Sequence, residues 1–148
     1  MNETGLRSCY LAGPLAMNKE AICEAFCGQV EVHRVPAGLA IKTPFETSDG
    51  DYIGFYVVKS GEGLYRLEDS GVAVPLLEAA GISLKDGVRG DAFQRLLAEY
   101  EAECDMDTFE LHSRSMAESQ IPEASLRFVA LLLRIQDFIL LRVGFGYP

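Results

Sequence analysis

The chain has 148 residues, a length that fills one domain and leaves no room for a second core. Hydrophobic residues make up 49% and charged residues 24%, which excludes a disordered tail because the apolar content is enough to offset chain entropy. With 13 bases against 22 acids the formal charge is −9, so a phosphate backbone is repelled unless the bases gather on one face.

Residues 1–16 contain Gly5, Gly13 and Pro14 without a sustained period, and read as an N-terminal arm. Asn18 offers an N-cap to residues 19–26, in which Ile22 and Phe26 share one face before Gly28 stops the helix. Val30, Val32 and Val35 then alternate with polar residues up to Pro36-Ala37-Gly38, and residues 39–45 form a second extended run, so the two make a hairpin. A polar turn over residues 46–50 leads into residues 51–59, rich in aromatic and β-branched side chains. Ser60-Gly61-Glu62-Gly63 turns the chain back into residues 64–67. Four consecutive strands with short turns predict an antiparallel meander.

At Asp69-Ser70-Gly71 the apolar period lengthens to that of a helix, with Val72, Leu76, Leu77 and Ala80 as its stripe, Pro75 near its first turn and Gly81 at its end. Asp91 is read as the cap of a second helix that buries Phe93, Leu96, Leu97 and Tyr100. Residues 109–113 add one more extended piece, and a helix from Pro122 to about Leu141 closes the domain. Glu123, Arg127, Arg134 and Asp137 fall on a narrow stripe of that helix, so most of its circumference is expected to be buried, against the sheet and in a dimer contact. Its longest unbroken apolar run, residues 128–133, is far shorter than the roughly 20 residues a bilayer needs. The predicted class is α+β: a four-stranded antiparallel meander packed by helices, with a long apolar C-terminal helix, over residues 17–143 and followed by a tail at 144–148.

No residue spacing fixes a reaction. Cys9, Cys23, Cys27 and Cys104 are few for a disulfide scaffold, and no leader with basic, apolar and small-residue sections is visible, so the reading is the reducing cytoplasm of a bacterial host. Cys23 and Cys27 share a helical face but lack the second ligand pair of a zinc knuckle, and read as buried free thiols; no cofactor is implied. Lys42, Glu46, Asp49, Asp51, Glu68 and Asp69 gather around the strand turns, where converging carboxylates beside a lysine would suit a divalent ion. Turn chemistry accounts for the same acids, with Asp69 capping the helix that follows. Cys104 and His112 would make a thiol–imidazole pair, weakened by the acids Glu103 and Asp105 beside the thiol.

The acids are also unevenly spread. Glu99, Glu101, Glu103, Asp105, Asp107 and Glu110 fall within twelve residues that hold no base. The first five alternate with Tyr100, Ala102, Cys104, Met106 and Thr108, so an extended backbone would line their carboxylates along one edge at steps of about 6.6–6.8 Å. Phosphates along a nucleic-acid strand have comparable spacing, and such a row would suit a groove built for one.

Ile41-Lys42-Thr43-Pro44-Phe45, Gly50-Asp51-Tyr52-Ile53 and Leu67-Glu68-Asp69-Ser70-Gly71, in that order, resemble the bacterial and phage family described as domain of unknown function 1828, over roughly residues 24–142. That family's pattern has a Thr-Pro-Phe strand end, an Asp-Tyr-Ile strand start and an Asp-Asp-Gly turn. Here a serine stands between Asp69 and Gly71, a departure that bears on any acid-pair chemistry at Glu68 and Asp69. The resemblance implies a small α+β domain common in phages and mobile elements, with no established activity. Read from the residues themselves, Thr43, Asp51 and Asp69 would converge at one sheet end if the two turns are adjacent. On the residues, Pro44 ends a strand and Gly71 permits a tight strand-to-helix turn.

Charge, acid row and resemblance together predict a non-enzymatic acidic interaction protein of phage or mobile-element type. Its partner would be a host machine with a basic nucleic-acid-binding surface, such as a restriction or CRISPR effector, with no direct contact to nucleic acid or membrane. The alternatives are a divalent-metal enzyme or accessory domain acting on nucleic acid, with the ion at Asp51, Glu68 and Asp69, and a homodimeric scaffold held by the last helix.

Overall fold

The computed structural model describes residues 15–47 and 49–141, so residues 1–14 of the N-terminal arm and the tail at 144–148 lie outside the described residues. Helix α1 (Lys19–Cys27) begins where Asn18 Oδ1 accepts a hydrogen bond from the Ala21 N–H at 2.8 Å. Strands β1 (Glu31–Val35), β2 (Gly38–Glu46), β3 (Tyr52–Gly61) and β4 (Leu64–Glu68) follow, each antiparallel to its neighbour, as the alternation predicts.

The sheet does not stop at four strands. β5 (Ala102–Cys104) and β6 (Leu111–Ser113) extend it to six in the order β1-β2-β3-β4-β6-β5, with β6 inserted between β4 and the strand that precedes it in the chain. Each is three residues long, too short to carry a periodic signal, and they join the sheet through tertiary contacts.

Helices α2 (Ala73–Ala79), α3 (Gly87–Glu99) and α4 (Ile121–Gln136), the last prolonged by a 3₁₀ turn (Asp137–Leu141), bury a core against the sheet. Val57 and Leu67 of the sheet meet Val74 and Leu77 of α2, Phe93 and Leu97 of α3, and Leu131 and Ile135 of α4, all buried. Phe55 and Phe128 pack edge to face, their ring centroids 5.6 Å apart. Each such side chain contributes about 1.5–3 kcal/mol by leaving water.

Several sequence expectations shift here. α3 starts at Gly87, four residues before the predicted cap; Asp91 is exposed inside the helix because Gly90 and Phe93 set the buried phase. In α2, Val72 is 54% exposed and burial passes to Ala73, Val74 and Leu77. Pro44 does not end β2: pairing slips between Lys42 and Glu46 and resumes at Glu46↔Tyr52, a bulge that absorbs the missing proline N–H. α4 buries only Phe128, Leu131, Leu132 and Ile135, leaving Leu126 76% exposed, so its apolar circumference is not mostly buried. Among the described residues no helix is long and apolar enough to cross a membrane.

Cys23 and Cys27 are exposed free thiols, the reverse of the buried pair predicted, because α1 buries none of its residues. A nine-residue helix gains little from propensity alone, so an amphipathic helix with an unburied apolar face lacks most of the packing that stabilises helices.

Candidate interaction surface

The motif residues are placed first by what they bond. Thr43 is buried in the β2 bulge; its Oγ1–H donates to the Ile53 carbonyl at 2.8 Å, and Oγ1 accepts from the Phe45 N–H at 3.3 Å, replacing ladder bonds that Pro44 cannot make. Asp69 is also buried, with both carboxylate oxygens engaged by backbone amides. Oδ1 accepts from Gly71 and Leu111, each at 2.9 Å, and Oδ2 from Val72 at 3.2 Å and Ala73 at 2.9 Å. The capping role predicted for Asp69 is therefore present, and the same side chain ties β6 to the end of β4. Ser70 and Gly71 both take left-handed backbone, with φ of +60° and +70°, to deliver these amides. A Cβ at Gly71 would lie 3.2 Å from the Thr108 carbonyl oxygen.

Asp51 is exposed at the entry to β3, and it shares with Asp69, Lys42 and Tyr52 the lining of a cavity of about 390 Å³. Thr43 lines a different cavity, between α1, β2 and α4, so of the three motif residues only the two aspartates share one. Glu68 turns away to Arg66, which reaches its Oε2 with Nε and a terminal nitrogen, both at 2.8 Å. With Glu68 paired to Arg66 and Asp69 saturated by four amides, the trio Asp51, Glu68 and Asp69 is not assembled as an ion site. Among the described residues no three His, Cys, Asp or Glu side chains are grouped to hold a metal ion.

The acid row is not a row. Only residues 102–104 of the segment are extended; Glu99 ends α3, Glu101 adopts φ +54°, and residues 105–110 fold into the tight turn between β5 and β6. Glu99 meets Arg134 at 3.1 Å, and Glu101 lies 3.7 Å from Arg114 and 4.0 Å from Arg127. Glu103 is 3.8 Å from His112 across the β5–β6 rung, and Glu110 is 3.8 Å from Arg66. Asp105 accepts from the Asp107 and Thr108 amides at 2.8 and 3.3 Å, which holds its carboxyl below the usual range. Only Asp107 is left with no side-chain partner among the described residues. The extended ruler of charge expected from the alternation is thus replaced by splayed carboxylates, three of the six facing arginines.

Cys104 and His112 sit on adjacent strands, but the thiol is pushed up to about 11, by burial first and then by Asp69 and Asp105. Its S–H points to its own neighbour, 3.8 Å from the Asp105 carbonyl. A thiol so protonated is a poor nucleophile.

What the sequence did not signal is an apolar groove of about 510 Å³ between α1, β2 and α4. Its walls include Phe26, Phe45, Leu126, Val129 and Leu133, and its floor is Ile41 and Phe55 of the sheet. α1 is held over it by the contact of Phe26 with Phe45, ring centroids 6.4 Å apart. Phe26 at the groove is 53% exposed and Leu126 76%, with Ile22 one turn before Phe26 at 48%, so apolar side chains at the rim face solvent. A clue was available: Leu126 lies off the stripe Phe128, Leu131, Leu132, Ile135 that packs the core.

The molecule is an α+β domain with an antiparallel sheet, helices that pack its core and an open apolar groove beside α4. It belongs to the family of domain of unknown function DUF1828, whose model matches residues 43–135. That span holds all three motif segments from Thr43 onward. No curated protein and no solved structure matches the chain.

Proposed function

We propose that this chain is a non-enzymatic, acidic interaction protein that binds a partner protein by the partner's basic surface. The observation that carries the reading is where the free carboxylates lie. Glu20 and Glu24 on α1 and Glu46, Asp49 and Asp51 around the β2–β3 turn have no side-chain hydrogen bond or ion pair among the described residues. The acids between Glu99 and Glu110, in contrast, are largely spent on internal partners. Glu62, Asp91 and Glu118 are likewise unpaired among the described residues, and the contact surface is assigned to the α1 end because there the unpaired acids stand beside exposed apolar side chains. Unpaired surface charge of one sign steers encounter with the opposite sign.

Strongly basic protein surfaces are commonly those that hold nucleic acid, so the partner class is a nucleic-acid-handling protein. In a phage or mobile-element setting a restriction or CRISPR effector fits that class. The test uses the wild-type chain and a variant carrying Glu20→Gln, Glu24→Gln, Glu46→Gln and Asp49→Asn as baits in lysate of the native host. The wild type should retain a nucleic-acid-binding protein that the variant does not, and duplex DNA or RNA should compete it away. Equal retention by both baits, or indifference to added nucleic acid, overturns the reading.

A further inference from the structure

We infer that the groove between α1, β2 and α4 is a docking site for a basic amphipathic helix presented by the partner, an inference that rests on the chain being an acidic interaction protein. The groove's shape and chemistry select a helix. Its floor is a sheet face and not a sheet edge, since β2 is paired on one side with β1 and on the other with β3. The Thr43 hydroxyl on that floor already donates to Ile53. An extended peptide laid there would find almost nothing to bond its backbone, whereas a helix satisfies its own. Amphipathic helices enter such grooves with apolar residues at i, i+3 or i+4, and i+7.

Charge selects the sign of the occupant. Of the elements that wall the groove, α1 carries Glu20 and Glu24 and β2 ends in Glu46, all without a partner among the described residues, while Glu123 of α4 lines another cavity beside Arg114 and Arg127. The arginines of α4 point elsewhere, Arg127 to the Glu99 carbonyl and Glu101, and Arg134 to Glu99 and Tyr100. On α1, Lys19 is the lone base beside two acids. A second copy of this chain would bring the same carboxylates back against themselves, which disfavours self-docking. A helix with lysine or arginine flanking its apolar stripe meets both demands.

The probe is a fluorescein-labelled 18-residue peptide of leucine and lysine with leucines at helical spacing, alongside a scrambled peptide of the same composition, titrated into the full chain by anisotropy. The patterned peptide should bind at least about tenfold more tightly than the scrambled one. Leu126→Glu is the decisive variant, because it adds negative charge: attachment by charge alone strengthens, while seating in the groove weakens by about tenfold or more. Position 126 is 76% exposed, so the variant should keep the wild-type thermal midpoint. In the unmodified protein, the patterned peptide should slow alkylation of Cys27, which lines the groove. Equal binding of the two peptides, undiminished binding by Leu126→Glu, or unchanged alkylation of Cys27 overturns the proposal. So does a wild-type dimer in sedimentation that Leu126→Glu dissociates, since the occupant is then a second copy. If Leu126→Glu still retains the host partner while the carboxylate variant does not, the groove assignment falls and the functional reading survives; if both variants retain all that the wild type does, the functional reading falls.

Discussion

The carboxylate of Asp69 accepts a hydrogen bond from the Leu111 amide at 2.9 Å, joining the end of β4 to a residue 42 positions later. With three further amides on the same buried carboxylate, Asp69 is the place where meander, helix α2 and strand β6 meet. Replacing it with asparagine turns an NH₂ group toward two amide donors and leaves buried N–H groups without an acceptor. Asp69→Asn should lower unfolding free energy by roughly 2–4 kcal/mol in a urea titration. A change below about 1 kcal/mol would show that the cap is dispensable.

Thr43 makes a similar but smaller contribution. Thr43→Val keeps the shape and removes the donor to the Ile53 carbonyl, a loss of about 1–3 kcal/mol, whereas Thr43→Ser should retain most of it. Equal stability of the valine and serine variants would assign Thr43 to packing alone.

Gly71 and Gly50 separate backbone strain from contact. Both have positive φ, +70° and +89°, but a Cβ meets Thr108 at 3.2 Å only at Gly71, with nothing within 4 Å at Gly50. Both alanine variants should lose about 1 kcal/mol from φ, and Gly71→Ala should lose measurably more by differential scanning calorimetry. Identical losses would mean that the loop carrying Thr108 yields freely.

Thiol reactivity should rank Cys23 and Cys27 well ahead of Cys104. With its pKa raised from 9.0 to about 11, Cys104 holds about 100-fold less thiolate near neutral pH, partly offset by higher intrinsic nucleophilicity, so iodoacetamide should modify it roughly tenfold more slowly or worse. Peptide mass spectrometry against time reads this directly, and equal rates would contradict the burial of Cys104.

The Glu110 carboxyl is raised above its ordinary 4.5, by burial first and then by Glu68, with Arg66 opposing. A raised folded-state value means that the protonated form favours folding: that contribution is complete below 4.5 and disappears as pH rises through the folded-state value. Glu110→Gln mimics the protonated form, so its thermal midpoint should match or exceed wild type at neutral pH and converge with it below 4.5. A variant less stable at neutral pH would show that the 3.8 Å approach to Arg66 outweighs the burial.

The meander was legible because its strands are long enough for alternation to register: Ile53, Phe55 and Val57 point inward, and Tyr52 and Gly54 do not. β5 and β6 were not, since three residues each are too few for alternation to register, and β6 joins the meander through the long-range rung Glu68↔His112 and the bond from Leu111 to Asp69. The acidic segment misled for a related reason. Alternating Glu and Asp imply an extended row only if the backbone is extended, and positive φ at Glu101 and Phe109 bends it at both ends. Capping by Asp69 was readable from local chemistry alone, while its bond to Leu111 was not. The groove escaped because Ile22 and Phe26 look like core residues along the chain, and only the position of α1 reveals that each stays about half exposed.

Strand order has a consequence for how the chain assembles. β5 leaves the ribosome before β6, yet among the described residues its only neighbour in the sheet is β6, and β4 waits for the same strand. During synthesis the finished meander therefore exposes an unsatisfied edge along β4 until about forty more residues have emerged. Slow translation through that interval would prolong a sticky intermediate, and a chaperone acting on this protein would find its target there.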